Sequence, residues 1–355
     1  MDKFRIDSHK LMFHPKRVSE WLDGKNIYPI YMEISPSGPC NHRCTYCGKD
    51  FMGYQKRYLD TKIFMERLTE MGALGLKSIM YAGDGEPFLH KDIAQIIVHT
   101  KKSGIDVGIT TNAVLFKEEI ADEILGHVEW IKVSINAGTP DTYSKVHRTK
   151  PADFDKAVKN MVYAKKVRDE KGYRCTLGMQ MILLPENHAE AVTLARVASD
   201  AGMDYLVIKP YSQMPNSITH QYENVKYTDY MYLGPELEKL NTPDFRVIFR
   251  SNAMQKWDEG SRNYKKCHAL PFWSYIDAGG FVWGCAEFLL DERFKYGNIN
   301  DNTFKEIWEG EARMKSLKWV HEELDLCECR LNCRMDAVNR YIWDLKNPID
   351  HVNFI

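Results

Sequence analysis

Residues 28–53 read YPIYMEISPSGPCNHRCTYCGKDFMG, and the rest of the chain can be placed outward from them. The first eight, YPIYMEIS (28–35), are rich in strand formers and read as a strand. A loop with Cys40, Cys44 and Cys47 follows at once. Then TKIFMERLTEMGALG (61–75) carries apolar residues at helical spacing. Strand, cysteine loop and helix make one βα unit. In parallel α/β structures, ligands collect in loops at the carboxyl ends of strands.

The alternation continues downstream. Strands are expected at 77–83, 106–113, 129–136, 174–184 and 205–212, with helices at 91–104, 117–125, 151–172 and 188–202. Two of these helices end in basic residues and glycine, as a C-cap should. Six strand–helix units over roughly 28–212 mean parallel pairing and right-handed crossovers. Such a run closes most of a barrel or forms a doubly wound sheet. Residues 1–26 read as an extension with a short helix near Lys16–Leu22, and 213–265 as an irregular linker. A smaller cysteine-bearing module follows over 266–340. Its hairpin is SYIDAGGFVWGCAEF, turning at Gly279–Gly280, with a helix at 302–317 and a tail at 341–355.

Composition narrows the function. The 355 residues hold 48 Lys and Arg against 49 Asp and Glu, a net charge of −1. An electrostatic nucleic-acid binder is usually basic, so no nucleic-acid partner is expected. No run of eighteen apolar residues offers a membrane span, and the first residues lack a signal peptide's apolar stretch. A cytoplasmic protein is therefore expected. In a reducing compartment, nine cysteines point to metal binding or catalysis, not to disulfides.

Three thiols in one loop, C-N-H-R-C-T-Y-C, invite a metal. Structural zinc wants four closed ligands, and His42 is the one extra donor inside the loop. Three soft thiolates suit a four-iron cluster with one iron left open for a chelating ligand. The sequence here resembles the radical S-adenosylmethionine (SAM) superfamily, whose CxxxCxxC motif this is. The resemblance covers roughly 28–212 and 267–333. It implies an α/β fold: a partial (βα)6 TIM-like barrel, then a small α+β auxiliary-cluster domain. It also implies a SAM-binding [4Fe-4S] cluster on Cys40, Cys44 and Cys47. In that family the cluster cleaves SAM reductively to a 5′-deoxyadenosyl radical, which abstracts hydrogen from substrate.

Other loops match the same family. Gly83-Asp-Gly85-Glu86-Pro87 resembles its GGEP motif, with Asp84 where glycine is usual. Tyr46 matches an aromatic near adenine, and its packing alternative stays open. Thr111-Asn112 resembles the family's T-N-G, with Ala113 for glycine. Ser134 and Asn136 stand where ribose and carboxylate contacts are made. Arg148 resembles an arginine pairing with the SAM carboxylate, or is a surface residue. Met179 and Gln180 on the fifth strand face the barrel or the core. Lys209 and Tyr211 end the sixth strand. A lysine there is costly to bury without a partner, so both are read as catalytic residues in contact with substrate or SAM.

The tail resembles the SPASM type of auxiliary-cluster domain in its shortened twitch form. It has Cys267, Cys285, Cys327, Cys329 and Cys333, five cysteines for one auxiliary [4Fe-4S] cluster. Cys267, Cys285 and Cys333 are expected ligands. Cys329 is preferred over Cys327 because Cys329 and Cys333 have the spacing of the family's final pair. Cys327 is then free, or a catalytic hydrogen donor. A zinc knuckle is the alternative. Cys175, alone in a strand, reads as a small hydrophobe.

Four protein ligands would make the auxiliary cluster an electron relay, which suits oxidation. In the family, one-cluster tails occur on a dehydrogenase and an epimerase of aminocyclitol or aminoglycoside alcohols, while related tails act on peptides. Only about 27 residues precede the first strand, too few for a peptide-recognition domain. The expectation is a dehydrogenase or epimerase of a small carbohydrate- or cyclitol-like substrate, reduced by a flavodoxin or ferredoxin. The alternatives are a peptide or protein maturase and a zinc-stabilised scaffold with a vestigial barrel.

Overall fold

The computed structural model describes Ile6 and residues 8–354. Ten strands form one continuous sheet: β1 (Tyr31–Ile34), β2 (Ser78–Tyr81), β3 (Asp106–Thr111), β4 (Trp130–Ser134), β5 (Thr176–Leu183), β6 (Tyr205–Pro210), β7 (Arg246–Phe249), β8 (Trp273–Ile276), β9 (Phe281–Trp283) and β10 (Lys295–Asn298). Their order is β10-β9-β8-β1-β2-β3-β4-β5-β6-β7. All pairs from β8 through β7 are parallel; β8–β9 and β9–β10 are antiparallel. This is the partial barrel with a small C-terminal module. Helices cover its outer face, and Met32, Ile34, Ile109, Ile131 and Leu206 are fully buried between the layers. Each such side chain contributes roughly 1.5–3 kcal/mol by burial.

The inner face alternates with a period of two. Trp130, Lys132 and Ser134 share one face of β4; Tyr205, Val207 and Lys209 share one face of β6. A Cβ on Gly108 would lie 2.3 Å from the Trp130 ring, and one on Gly178 2.3 Å from the Tyr205 ring. These glycines admit two large rings near the amino ends of β4 and β6.

Four departures from the expected organisation stand out. Residues 213–265 contain β7 and the helices Leu233–Glu238 and Ser251–Glu259, so the barrel sheet continues through the supposed linker. An extra helix, Pro140–His147, follows β4; Thr139 caps it by accepting from Thr142 N. The helix expected at 302–317 is two, Phe304–Glu309 and Glu311–Glu322, because Gly310 is extended (ψ 158°). The helix Asp336–Lys346 crosses the boundary placed at 340/341. Its Ile342 packs with Leu11, Val18, Ile27, Ile30 and Phe272, so the two chain ends share one apolar cluster. The C-terminal module is also joined to the barrel. The β8 strand pairs with β1, and the buried Trp308 indole donates to Ile27 O at 2.7 Å. Among the described residues, no helix is long and apolar enough to cross a membrane.

Candidate active site

The loop after β1 carries Cys40, Cys44 and Cys47. Arg43 N donates to His147 O (3.1 Å) and Thr45 N to Val146 O (2.9 Å), pinning the loop to the helix Pro140–His147. Burial pushes all three thiols up, Cys40 to about 12, and Cys44 is raised further by Cys47 and Cys40. Three crowded soft donors that resist ionising alone suit a cationic iron centre, which holds them as thiolates.

His147, which the sequence did not single out, lies against this loop. Its Nδ1 is 3.2 Å from Cys44 Sγ, and its Nε2 donates to Ile135 O at 2.9 Å. Burial and His42 hold its pKa down to about 3, so it is neutral. His42, Cys44 and His147 place three donor atoms within 4.8 Å of one another. That set alone would suit zinc. It leaves Cys40 and Cys47 unused, whereas an iron–sulfur cluster uses all three thiols.

The Gly83–Pro87 loop lies directly on the segment leading into Cys40. A Cβ on Gly83 (φ +147°) would be 2.2 Å from Ser35 Oγ, and one on Gly85 would be 2.1 Å from Pro39 O. Both positions therefore need glycine. The Glu86 carboxylate accepts from Thr111 Oγ1 (2.5 Å), Asn112 N (2.9 Å) and Phe88 N (3.2 Å). Burial raises its pKa to about 7. The side chain thus ties the end of β3 to this loop.

The remaining expected SAM contacts are spread along the strand ends. Asn112 Nδ2 donates to Asn41 Oδ1 at 2.8 Å, inside the cysteine loop. Asn136 (φ +53°) donates to the Tyr46 hydroxyl and accepts from Ile182 N. Tyr46 sits edge-on to His147. Ser134 Oγ accepts weakly from Gln180 (3.5 Å). Arg148 is exposed in the left-handed C-cap of its helix, and its neighbour His147 makes the contacts with the cysteine loop.

In the tail, Cys267 raises the thiol pKa of Cys285, Cys329 and Cys333, and Cys329 raises those of Cys285 and Cys333. Burial is the largest cause for each. Arg262 braces the last pair by donating to Leu326 O and Cys329 O, both at 2.5 Å. Cys327 is exposed, and its N–H donates to Asp325. It does not line the cavity described next, so the role of catalytic hydrogen donor expected for it is withdrawn. Cys175 is buried in the main core, as expected.

A cavity of about 820 Å³ opens between the barrel strands and the tail. Lys132, Gln180 and Lys209 form one wall; Arg330, Cys333 and Arg334 form another. Met179 is buried in the core instead. Tyr211 does not reach the cavity. Its ring packs against Tyr222 and Trp257 and its hydroxyl donates to Gln213, so the expectation of a catalytic contact is corrected. The chain leaves the sheet after Pro210, which carries Tyr211 behind the wall. Lys49, Lys132, Arg250, Arg330 and Arg334 line the cavity unannounced by any motif.

Comparison with known proteins now identifies the chain. The radical SAM superfamily description matches residues 34–198, and an iron–sulfur cluster-binding domain, SPASM, matches 267–334. The chain is a radical SAM protein with a SPASM domain. It is 26% identical over 335 residues to the tungsten-containing aldehyde ferredoxin oxidoreductase cofactor-modifying protein of Pyrococcus furiosus, covering 86% of this chain and 88% of that one. It is 30% identical to the GTP 3′,8-cyclase of Clostridium acetobutylicum over 127 residues, 35% of this chain and 39% of the cyclase. Its fold is similar to Streptococcus suis SuiB bound to S-adenosylmethionine, with TM-score 0.64, 18% identity and coverage of 85% and 70%. It is also similar to anSMEcpe with bound AdoMet, with TM-score 0.58, 16% identity and coverage of 88% and 89%. The cofactors of this radical SAM protein are a [4Fe-4S] cluster, SAM and an auxiliary cluster.

Proposed function

We propose that this radical SAM enzyme abstracts hydrogen from a small polar substrate bound in the barrel cavity and dehydrogenates or epimerises it. One observation carries the reading. A single cavity, sized for a small molecule, is walled by barrel strands on one side and by Cys333 of the auxiliary cysteine group on another. When bound, the two clusters and SAM supply the 5′-deoxyadenosyl radical and, at the auxiliary site, an acceptor for one electron.

The chain's own residues then have distinct tasks. Cys40, Cys44 and Cys47 hold the first cluster; Cys267, Cys285, Cys329 and Cys333 hold the second, a [4Fe-4S] cluster. Gly83, Gly85 and Glu86 shape the SAM site, and Asn112, Ser134, Asn136 and Tyr46 complete it. Lys209 contacts substrate. A dehydrogenation removes two hydrogens as one atom, one proton and one electron, so a radical, a base and an acceptor must meet at one place. The enzyme works in the cytoplasm with a flavodoxin or ferredoxin as electron donor, and without nucleic acid or membrane.

A second reading is a maturase that modifies a peptide or protein. SuiB, similar in fold, has been seen bound to its precursor peptide SuiA. The test is anaerobic reconstitution with reductant and SAM, then screens of sugars, cyclitols and peptides for substrate-dependent 5′-deoxyadenosine. Stimulation by a sugar or cyclitol, with a product two mass units lighter or epimerised, supports the first reading. Stimulation by peptides alone overturns it in favour of the second.

A further inference from the structure

Among the described residues, the cavity lining carries more cationic than anionic side chains, nine Lys and Arg against four Asp and Glu. Three of those acids are already paired: Glu33 with Arg334 (3.1 Å), Glu287 with Arg330 (3.3 Å), and Asp336 with Lys256 and Arg340. Among the described residues, neither the Lys132 nor the Lys209 ammonium has an ion pair or hydrogen bond.

Both lysines face a cationic surrounding, and Lys209 also feels the charge of Lys132. Lys132 on β4 feels Arg334 and Arg250 against Glu33 alone. Lys209 on β6 feels Lys132, Arg330, Arg334 and Arg250. Burial, then this repulsion, holds Lys132 down to about 7 and Lys209 well below the usual lysine range. Like charges gathered in a partly dehydrated space oppose ionisation, and a bound anion reverses the sign of that interaction.

Neither the auxiliary cluster nor SAM accounts for the two lysines. Arg330 and Arg334 adjoin Cys329 and Cys333 and suit the negative charge of a thiolate-bound cluster, but Lys132 and Lys209 stand on the barrel wall. None of the residues assigned to SAM lines this cavity.

We infer that the substrate carries a phosphate or carboxylate group, clasped by Lys132 and Lys209 from the barrel and by Arg330 and Arg334 from the tail. Its role in catalysis rests on the function proposed above; the anion site rests on the charged side chains lining the cavity. Phosphate and carboxylate share the needed charge and acceptor oxygens.

The test is calorimetry on the reconstituted full-length protein with inorganic phosphate, succinate and neutral myo-inositol as probes. Binding of phosphate or succinate at least about tenfold tighter than inositol, weakened by salt, is expected. The tighter of the two anions names the group. Lys132→Gln and Lys209→Gln should each weaken that binding about tenfold, while Lys209→Arg keeps it. Iron content and the unfolding midpoint show that each variant is folded. No anion binding above inositol, or unchanged binding in both folded Gln variants, overturns the inference. Formation of 5′-deoxyadenosine by wild-type protein is read separately. Its failure with anion binding intact would sink the proposed function and leave the anion site standing.

Discussion

The Tyr275 hydroxyl donates to Asp84 Oδ1 at 2.7 Å, and both side chains are buried. Asp84 belongs to the loop after β2 that shapes the SAM site; Tyr275 lies on β8 of the C-terminal module. Lys49, two residues past Cys47, places its ammonium 4.0 Å above the Tyr275 ring and 3.5 Å from Ala286 O, next to Cys285. One polar joint thus links both cysteine groups. Asp84, where the family usually has glycine, supplies the acceptor that this joint needs.

Removing half of that joint should be costly. Tyr275→Phe leaves the buried Asp84 Oδ1 without its donor and should lower stability by about 1–3 kcal/mol. A double-mutant cycle with Asp84→Ala, read by anaerobic urea unfolding, should give a coupling of at least about 0.5 kcal/mol. Additive losses would mean that the contact carries no energy.

The two cysteine groups should separate by function. Cys44→Ala is expected to abolish SAM cleavage. Cys285→Ala is expected to spare uncoupled cleavage but stop product formation. Cys327→Ser, exposed and outside both groups, should leave iron, sulfide and cleavage unchanged. Equal loss of cleavage in Cys44→Ala and Cys285→Ala would count against separate roles.

His147 should govern how firmly the first cluster is held. Its Nδ1 lies 3.2 Å from Cys44 Sγ and 3.4 Å from the Tyr46 hydroxyl. Groups that orient ligands typically change metal affinity by about 10–100-fold when removed. His147→Ala should therefore lose iron to a chelator about tenfold faster than wild type, and an unchanged rate would refute this role.

Lys132 gives stability a pH slope. Its folded pKa of about 7 lies below the reference value of 10.5. Between those values the unfolded chain binds more protons than the folded one, so this lysine makes stability rise with pH from about 7 to about 10.5. Lys132→Met should flatten that contribution in urea titrations at stepped pH. An identical pH slope in both proteins would show that Lys132 ionises normally.

Much of the site was legible because its motifs are local. Cys40, Cys44 and Cys47 lie within eight residues, and Gly83 and Gly85 are demanded by close contacts with Ser35 and with the Gly38–Pro39 backbone. The six barrel strands showed through their apolar runs. The short edge strand β7 did not, since its four residues run from exposed to half-buried and begin with arginine. Lys132 was visible in principle, because period two puts it on the same face as Trp130 and Ser134. Its meaning was not, because the opposing Arg330 and Arg334 come from a segment about 200 residues away that only folding brings near. Tyr211 misled for a similar reason: a strand end shows where the backbone points but not that the next residue turns behind the wall.

The most direct test of the account is iron and sulfide content after anaerobic reconstitution, with a Cys40/Cys44/Cys47→Ala variant beside the wild type. About eight irons per wild-type chain and about four in the variant are predicted, one cluster lost and one retained. About four irons in the wild type and none in the variant would contradict it, because the tail cysteines would then hold no cluster.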